Sequence, residues 1–129
     1  MFSIKKMGVG LTTPFEYLPG TAGETITAGE ALVLASGKLT KCGATAKPAY
    51  VALGLADDNG DVPCAEVQPY MEFQTTLSAA PAEGVTLAAG DKVTLDAGAL
   101  QVTATTTSGV ATIKRIDGQT VGSVVIVSF

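Results

Sequence analysis

Hydrophobic positions along this chain recur in short alternating runs, cut every few residues by glycine or proline. Residues 64–74 show the pattern most plainly: Ala65, Val67, Met71 and Phe73 alternate with Glu66, Gln68, Tyr70, Glu72 and Gln74. A period of two belongs to a strand with one buried and one wet face. Pro69 falls on the apolar side and has no N–H for a ladder, so this strand is expected at an edge or bent at that point. Residues 121–129 read differently. Val121, Val125, Val127 and Phe129 fall on one face and Val124 and Ile126 on the other. Both faces should therefore be covered, either at the centre of the fold or by another subunit.

The longest stretch free of glycine and proline is residues 70–80, 11 residues. That is only about the mean length of a globular helix, so helices have little room. Threonine and valine, which suit pleated surfaces, are abundant. The chain reads as all-β, a small barrel or sandwich of short strands.

An internal repeat organises these strands. Residues 23–39 (GETITAGEALVLASGKL) match residues 84–100 (GVTLAAGDKVTLDAGAL) without a gap, and seven of the 17 positions are identical. Ala28-Gly29 and Ala89-Gly90 read as turns, where glycine supplies a positive φ. Leu32 and Leu34, like Val93 and Leu95, alternate along a strand; Ser36-Gly37 and Ala97-Gly98 then turn the chain into a second strand starting at Leu39 or Leu100. Two pseudo-repeated hairpin units are thus expected to pack as a pair in one β domain, residues 23–129. The expected core is Leu32, Leu34, Leu39, Val51, Leu53, Val67, Phe73, Leu87, Val93, Leu95, Val125 and Val127.

Residues 1–22 stand outside the repeat. Gly8, Gly10, Pro14, Pro19 and Gly20 forbid a long helix, while Phe2, Ile4, Met7, Val9, Leu11, Phe15, Tyr17 and Leu18 make the segment too apolar for a solvated tail. It reads as an extended N-terminal arm lying on its own domain or on a neighbour; part of it could equally be a strand of the same domain. As an arm, it should be removable without unfolding the rest.

Composition narrows the chemistry. Among 129 residues there is no His and no Trp. That excludes a Ser-His-Asp triad, a Cys-His pair and histidine-ligated metal. No phosphate-binding Gly-x-x-x-x-Gly-Lys-Ser/Thr loop occurs. Cys42 and Cys64 have no metal-ligand spacing; a disulfide between them is possible, and two free, partly buried thiols fit better. Asp57, Asn59 and Asp61 alternate as in a calcium loop, but Val62 stands where glycine is needed and Gln68 where the closing glutamate belongs. Asn59-Gly60 reads instead as a hairpin turn. The chain is not expected to be an enzyme, and neither cofactor nor metal is expected.

The net charge is −4, and seven acidic residues but no Lys or Arg lie between Pro48 and Asp91. Such a segment repels phosphate, so nucleic-acid binding is not expected. No run is apolar for the ~18 residues of a membrane span, and no apolar stretch of signal-peptide length follows Lys5-Lys6. No membrane association and no signal-led export are expected.

The string AGEALVLASGKL (28–39), followed by TKCGATAKPAYV (40–51) and Ala52-Leu53-Gly54, resembles small head-decoration, capsid-stabilising proteins of tailed phages and prophages. The resemblance is best over about residues 23–56, with weaker support from the second copy. It implies a β-rich structural protein, made in the host cytoplasm and carried on the outer surface of the virion capsid, bridging major capsid protein subunits. It also implies homo-oligomers, a trimer favoured, and a terminal arm that reaches neighbours; it implies no catalytic residue. On that reading Phe15, Tyr17 and Leu18 are the expected partner contacts. The alternative is a carbohydrate-binding or adhesin-like β module on a virion or cell surface, against which the scarcity of aromatics counts.

Overall fold

A computed structural model describes residues 1–7 and 15–129. Among these residues lie ten strands: β1 (Ser3–Lys6), β2 (Glu16–Pro19), β3 (Ala31–Ala35), β4 (Lys38–Lys41), β5 (Tyr50–Ala52), β6 (Asp61–Glu66), β7 (Glu72–Thr76), β8 (Lys92–Val93), β9 (Ala111–Ile116) and β10 (Val124–Ser128). They form two antiparallel five-stranded sheets packed as a sandwich. The order is β1-β7-β10-β9-β8 in the first sheet and β2-β6-β5-β3-β4 in the second.

The two sheets share one plan. Ala31 lies opposite Val51 and Leu32 opposite Tyr50; 61 positions further on, Lys92 lies opposite Thr112 and Val93 opposite Ala111. The approach to each strand repeats as well. Gly29 N–H donates to the Ala52 carbonyl at 2.7 Å, and Gly90 N–H to that of Ile113 at 2.8 Å. Thr27 N–H donates to Glu30 Oε2 at 3.0 Å, and Ala88 N–H to Asp91 Oδ2 at 2.9 Å. The acid after each Ala-Gly turn thus closes the turn through its own side chain.

The shared plan reaches beyond the sequence match. Glu16 faces Cys64 as Phe73 faces Val127, and Gly20 N–H bonds to Gly60 as Leu77 N–H bonds to Ser123. In the second sheet Leu39 pairs with Leu34 and forms a parallel bridge to Gly20; in the first, Val102 bridges Leu95 antiparallel and Leu77 parallel. The last segment of each unit therefore meets its first, and each sheet curls toward a small barrel.

Val102, not Leu100, takes the place of Leu39. The first hairpin closes on Ser36 (φ 51°) and Gly37 (φ 77°), the paired positive φ of a two-residue turn. The second inserts two more residues, held by the Asp96 carboxylate, which accepts from the N–H groups of Gly98, Leu100 and Gln101.

The sandwich core lies between the sheets and contains Phe73, Leu77, Leu87, Val93, Leu95, Ile113, Val125 and Val127. A second cluster (Ile26, Leu32, Leu39, Ala52, Val62 and Cys64) lies on the other face of the second sheet, inside its curl. Along β3, Ala31 faces the first cluster and Leu32 the second. Backbone bonds also cross between the units, from Ala31 N–H to the Ala99 carbonyl at 2.7 Å and from Leu95 N–H to that of Ala44 at 2.9 Å.

Several expectations need correction. The run 64–74 is two strands: β6 ends at Glu66, the chain turns through exposed Pro69 and Tyr70, and β7 begins at Glu72 in the other sheet. The alternation carries across the break because Val67, Met71 and Phe73 all face the sandwich core. β10 starts at Val124 and runs between β7 and β9, while Val121, 65% exposed, belongs to the turn before it. Leu34 and Leu53, expected in the core, are 46% and 37% exposed. Leu34 lies where the β3–β4 hairpin runs out beyond its cover, and Leu53 one residue past the end of β5. Val67 is half-buried at the edge of the core; the other nine expected core residues are buried.

The described part of residues 1–22 is built into the domain rather than laid over it. β1 pairs with β7, β2 pairs with β6, and Phe2 is buried in the sandwich core. Residues 8–14 of the expected arm lie outside the described residues. Deleting residues 1–22 is therefore expected to unfold the protein.

The inside and outside of the β3–β4 hairpin are tested by alanine at neighbouring leucines. Leu32→Ala should destabilise by about 2–5 kcal/mol, and Leu34→Ala by less than about 1 kcal/mol, read from denaturant midpoints. A Cβ on Gly109 would stand 2.3 Å from the Lys92 carbonyl carbon and oxygen. Gly109→Ala should thus force β8 off β9 and lower stability by about 1–3 kcal/mol.

Candidate functional site

The three residues expected to contact a partner divide between surface and core. Phe15 and Tyr17 are 57% and 53% exposed, with ring centroids 5.2 Å apart in an edge-to-face pair. Leu18 turns the other way, against the second core cluster. Alternation along β2 causes the split: successive side chains point to opposite faces.

The exposed pair continues into a row. Tyr17 lies opposite Pro63 on β6, and Leu53 N–H donates to the Pro63 carbonyl at 2.8 Å. Tyr17, Pro63 and Leu53 are therefore neighbours across three chain segments. Sequence reading placed Leu53 inside and gave Pro63 no role, because the row exists only through the pairing of distant segments.

β2 ends the sheet order, and among the described residues its outer side is met only at its C-terminal end, by β4, through the parallel Gly20–Leu39 bridge. Gly20 N–H donates to the Gly60 carbonyl at 3.0 Å. In an antiparallel ladder alternate residues address the same neighbour, so Leu18 and Glu16 also turn their amides to β6. Tyr17 turns its N–H and carbonyl outward, where no strand pairs with it among the described residues. The far edge of the same sheet is treated differently. There the Glu24 carboxylate accepts from Lys41 N–H at 2.6 Å and from Thr40 Oγ1 at 2.7 Å, and Thr21 N–H donates to the Leu39 carbonyl at 2.9 Å.

The surroundings of β2 are acidic. Glu16 lies on it, and Asp61 and Glu66 lie at the ends of β6. Tyr50 reports the field: desolvation, then the Glu16 and Glu66 carboxylates and Cys64, push its hydroxyl above the ordinary tyrosine range.

The thiols and the acidic turn expected from the sequence take structural places. Cys42 and Cys64 are free and buried, in different core clusters. Burial pushes each thiol up to about 11, with the Glu16 carboxylate adding to the effect at Cys64. The Asp57 carboxylate accepts from the N–H groups of Asn59 and Asp61, both at 2.9 Å, which makes the 57–61 segment a self-closed turn. Among the described residues no group of His, Cys, Asp and Glu is placed to hold a metal ion. Comparison with protein-family models, with curated proteins and with solved structures gives no match.

The raised thiols set a pH dependence. Below about pH 8.5, the ordinary cysteine value, both thiols are protonated in the folded and unfolded chains and contribute no slope. Between there and about 11 the unfolded chain ionises first, so stability should fall as pH rises through that window. Thermal melts from pH 7 to 11 check this: Cys42→Ala/Cys64→Ala should flatten the alkaline part of the curve. At pH 8 a disulfide reagent should modify the folded protein at least tenfold more slowly than the unfolded one.

Proposed function

We propose that this protein is a structural component of a virus particle, placed on the outside of the head, where it bridges and stabilises major capsid protein subunits. The observation that carries the reading is the exposed Phe15–Tyr17 pair at β2, the end strand of one of two packed β sheets. Aromatic anchors at the centre of a patch dominate binding energy. The row through Pro63 and Leu53 extends the patch over a sheet surface that is already ordered, so little conformational entropy is lost when a partner docks. The resemblance of residues 23–56 to head-decoration proteins supports the same reading. Modest contacts from each of many copies then add through avidity across a capsid lattice, and association as a trimer would place three such patches around one axis.

Co-sedimentation with empty heads of the virus that encodes the protein tests the proposal, with light scattering for its mass alone. Saturable pelleting is expected. The double variant Phe15→Ser/Tyr17→Ser should pellet at least tenfold more weakly, equivalent to about 1.4 kcal/mol or more, with an unchanged unfolding midpoint. A wild-type protein that stays in the supernatant with intact heads would overturn the reading; a glycan screen would then be the next measurement.

A further inference from the structure

The shared plan of the two units exposes one difference between them. In the first sheet the outer edge of β7 is covered: β1 lies along it antiparallel, with Ser3 opposite Gln74, Ile4 opposite Phe73 and Lys6 opposite Glu72. Phe73 faces Val127 as Glu16 faces Cys64, so the structural counterpart of Gln74 is Tyr17 and that of Phe73 is Glu16. The outward amide of Tyr17 thus occupies the position that β1 covers in the other unit, and among the described residues no strand covers it.

We propose that the outer edge of β2 accepts an added antiparallel strand from another polypeptide, and that this strand is extended and carries lysine or arginine. Its backbone pairs with the outward N–H and carbonyl of Tyr17, as strand addition at a sheet edge does. The internal counterpart supplies the chemistry of the occupant: β1 brings Lys5 and Lys6 to the edge it covers, and Lys6 Nζ lies 4.0 Å from Glu72. Charge agrees. Glu16, Asp61 and Glu66 surround the edge, and residues 7–37 and 48–91 contain no Lys or Arg. The same charge argues against two copies joining β2 to β2, which would set Glu16 near its own counterpart. This inference does not depend on the capsid reading, since any basic extended segment satisfies it.

The probe is the peptide MFSIKKM, the chain's own edge-covering segment, titrated into the isotope-labelled full-length protein and followed by amide NMR. Saturable shifts are expected at Phe15–Leu18 and at Val62 and Cys64, weakening as salt rises. The charge-reversed peptide MFSIEEM should bind at least tenfold more weakly. Tyr17→Pro removes the outward N–H while leaving the β2–β6 bonds in place, and should abolish the shifts with the remaining spectrum intact; Tyr17→Phe should preserve them. Three outcomes would overturn the proposal: no shifts at millimolar peptide, shifts confined to β7 through exchange with β1, or equal binding of the two peptides. Self-association at the same edge without peptide would also overturn it, because a second copy would then be the occupant.

Discussion

Phe129 touches both Phe2 and Phe73, with ring centroids 5.4 and 5.5 Å from its own; Phe2 and Phe73 lie in the sandwich core and the half-buried Phe129 packs against it. The contact joins segments far apart in sequence: Phe2 precedes β1, Phe73 sits in β7, and Phe129 follows β10. A chain with four phenylalanines and no tryptophan has few large side chains with which to fill a core, and aromatic pairs add about 0.5–1.5 kcal/mol beyond the area they bury. Most of the remaining core is aliphatic and small. Such residues fill space well but fix orientation weakly, and the phenylalanine cluster ties together the strands that pair on the two sides of β7.

Duplication solves a problem of size. A curled sheet of strands this short encloses only a small interior, as the second cluster of Ile26, Leu32, Leu39, Ala52, Val62 and Cys64 illustrates. Two such units packed together gain a larger shared core, and strands β3 and β5 then bury residues on both faces. That double burial accounts for the absence of clean polar–apolar alternation along Ala31–Ala35. The units are equal in plan and unequal at their edges. β1 covers one, Glu24 and Thr21 satisfy another, and β2 remains at the margin with its aromatic pair outward. An unpaired edge is a liability that proteins ordinarily blunt. Among the described residues, Glu16, Asp61 and Glu66 set negative charge beside the outward amide of Tyr17, which discourages self-pairing.

Much of the plan was legible in the sequence because it rests on local rules. Positive φ at Gly29, Gly37, Gly60 and Gly90 follows from turns that glycine tolerates best, and the alternation of Val93 and Leu95 with their neighbours follows from the pleat. The repeat itself was visible because both copies obey the same turn chemistry. What escaped was the point where the copies diverge. Gly98 and Leu100 match Gly37 and Leu39 letter for letter, yet Asp96 gathers a longer turn and hands the strand position to Val102. A one-dimensional match cannot register two extra residues that a side chain ties off in space. The candidate site was half legible: alternation separates Phe15 and Tyr17 from Leu18, but only the strand pairing shows which of them faces the core.

By itself the sequence determined the all-β class, the first hairpin, the Ala-Gly turns and most of the core, since each follows from φ preferences or from a period read within a dozen residues. Tertiary structure decided which apolar residues stay outside. Leu34, Leu53 and Val121 are as hydrophobic as their buried neighbours, and only the reach of the facing sheet or turn leaves them exposed. It also decided that residues 64–74 cross from one sheet to the other and that β1 pairs with β7 and not with β2. Those outcomes depend on long-range pairing, where the partner is chosen by the shape of the whole core and not by the residues of the strand itself.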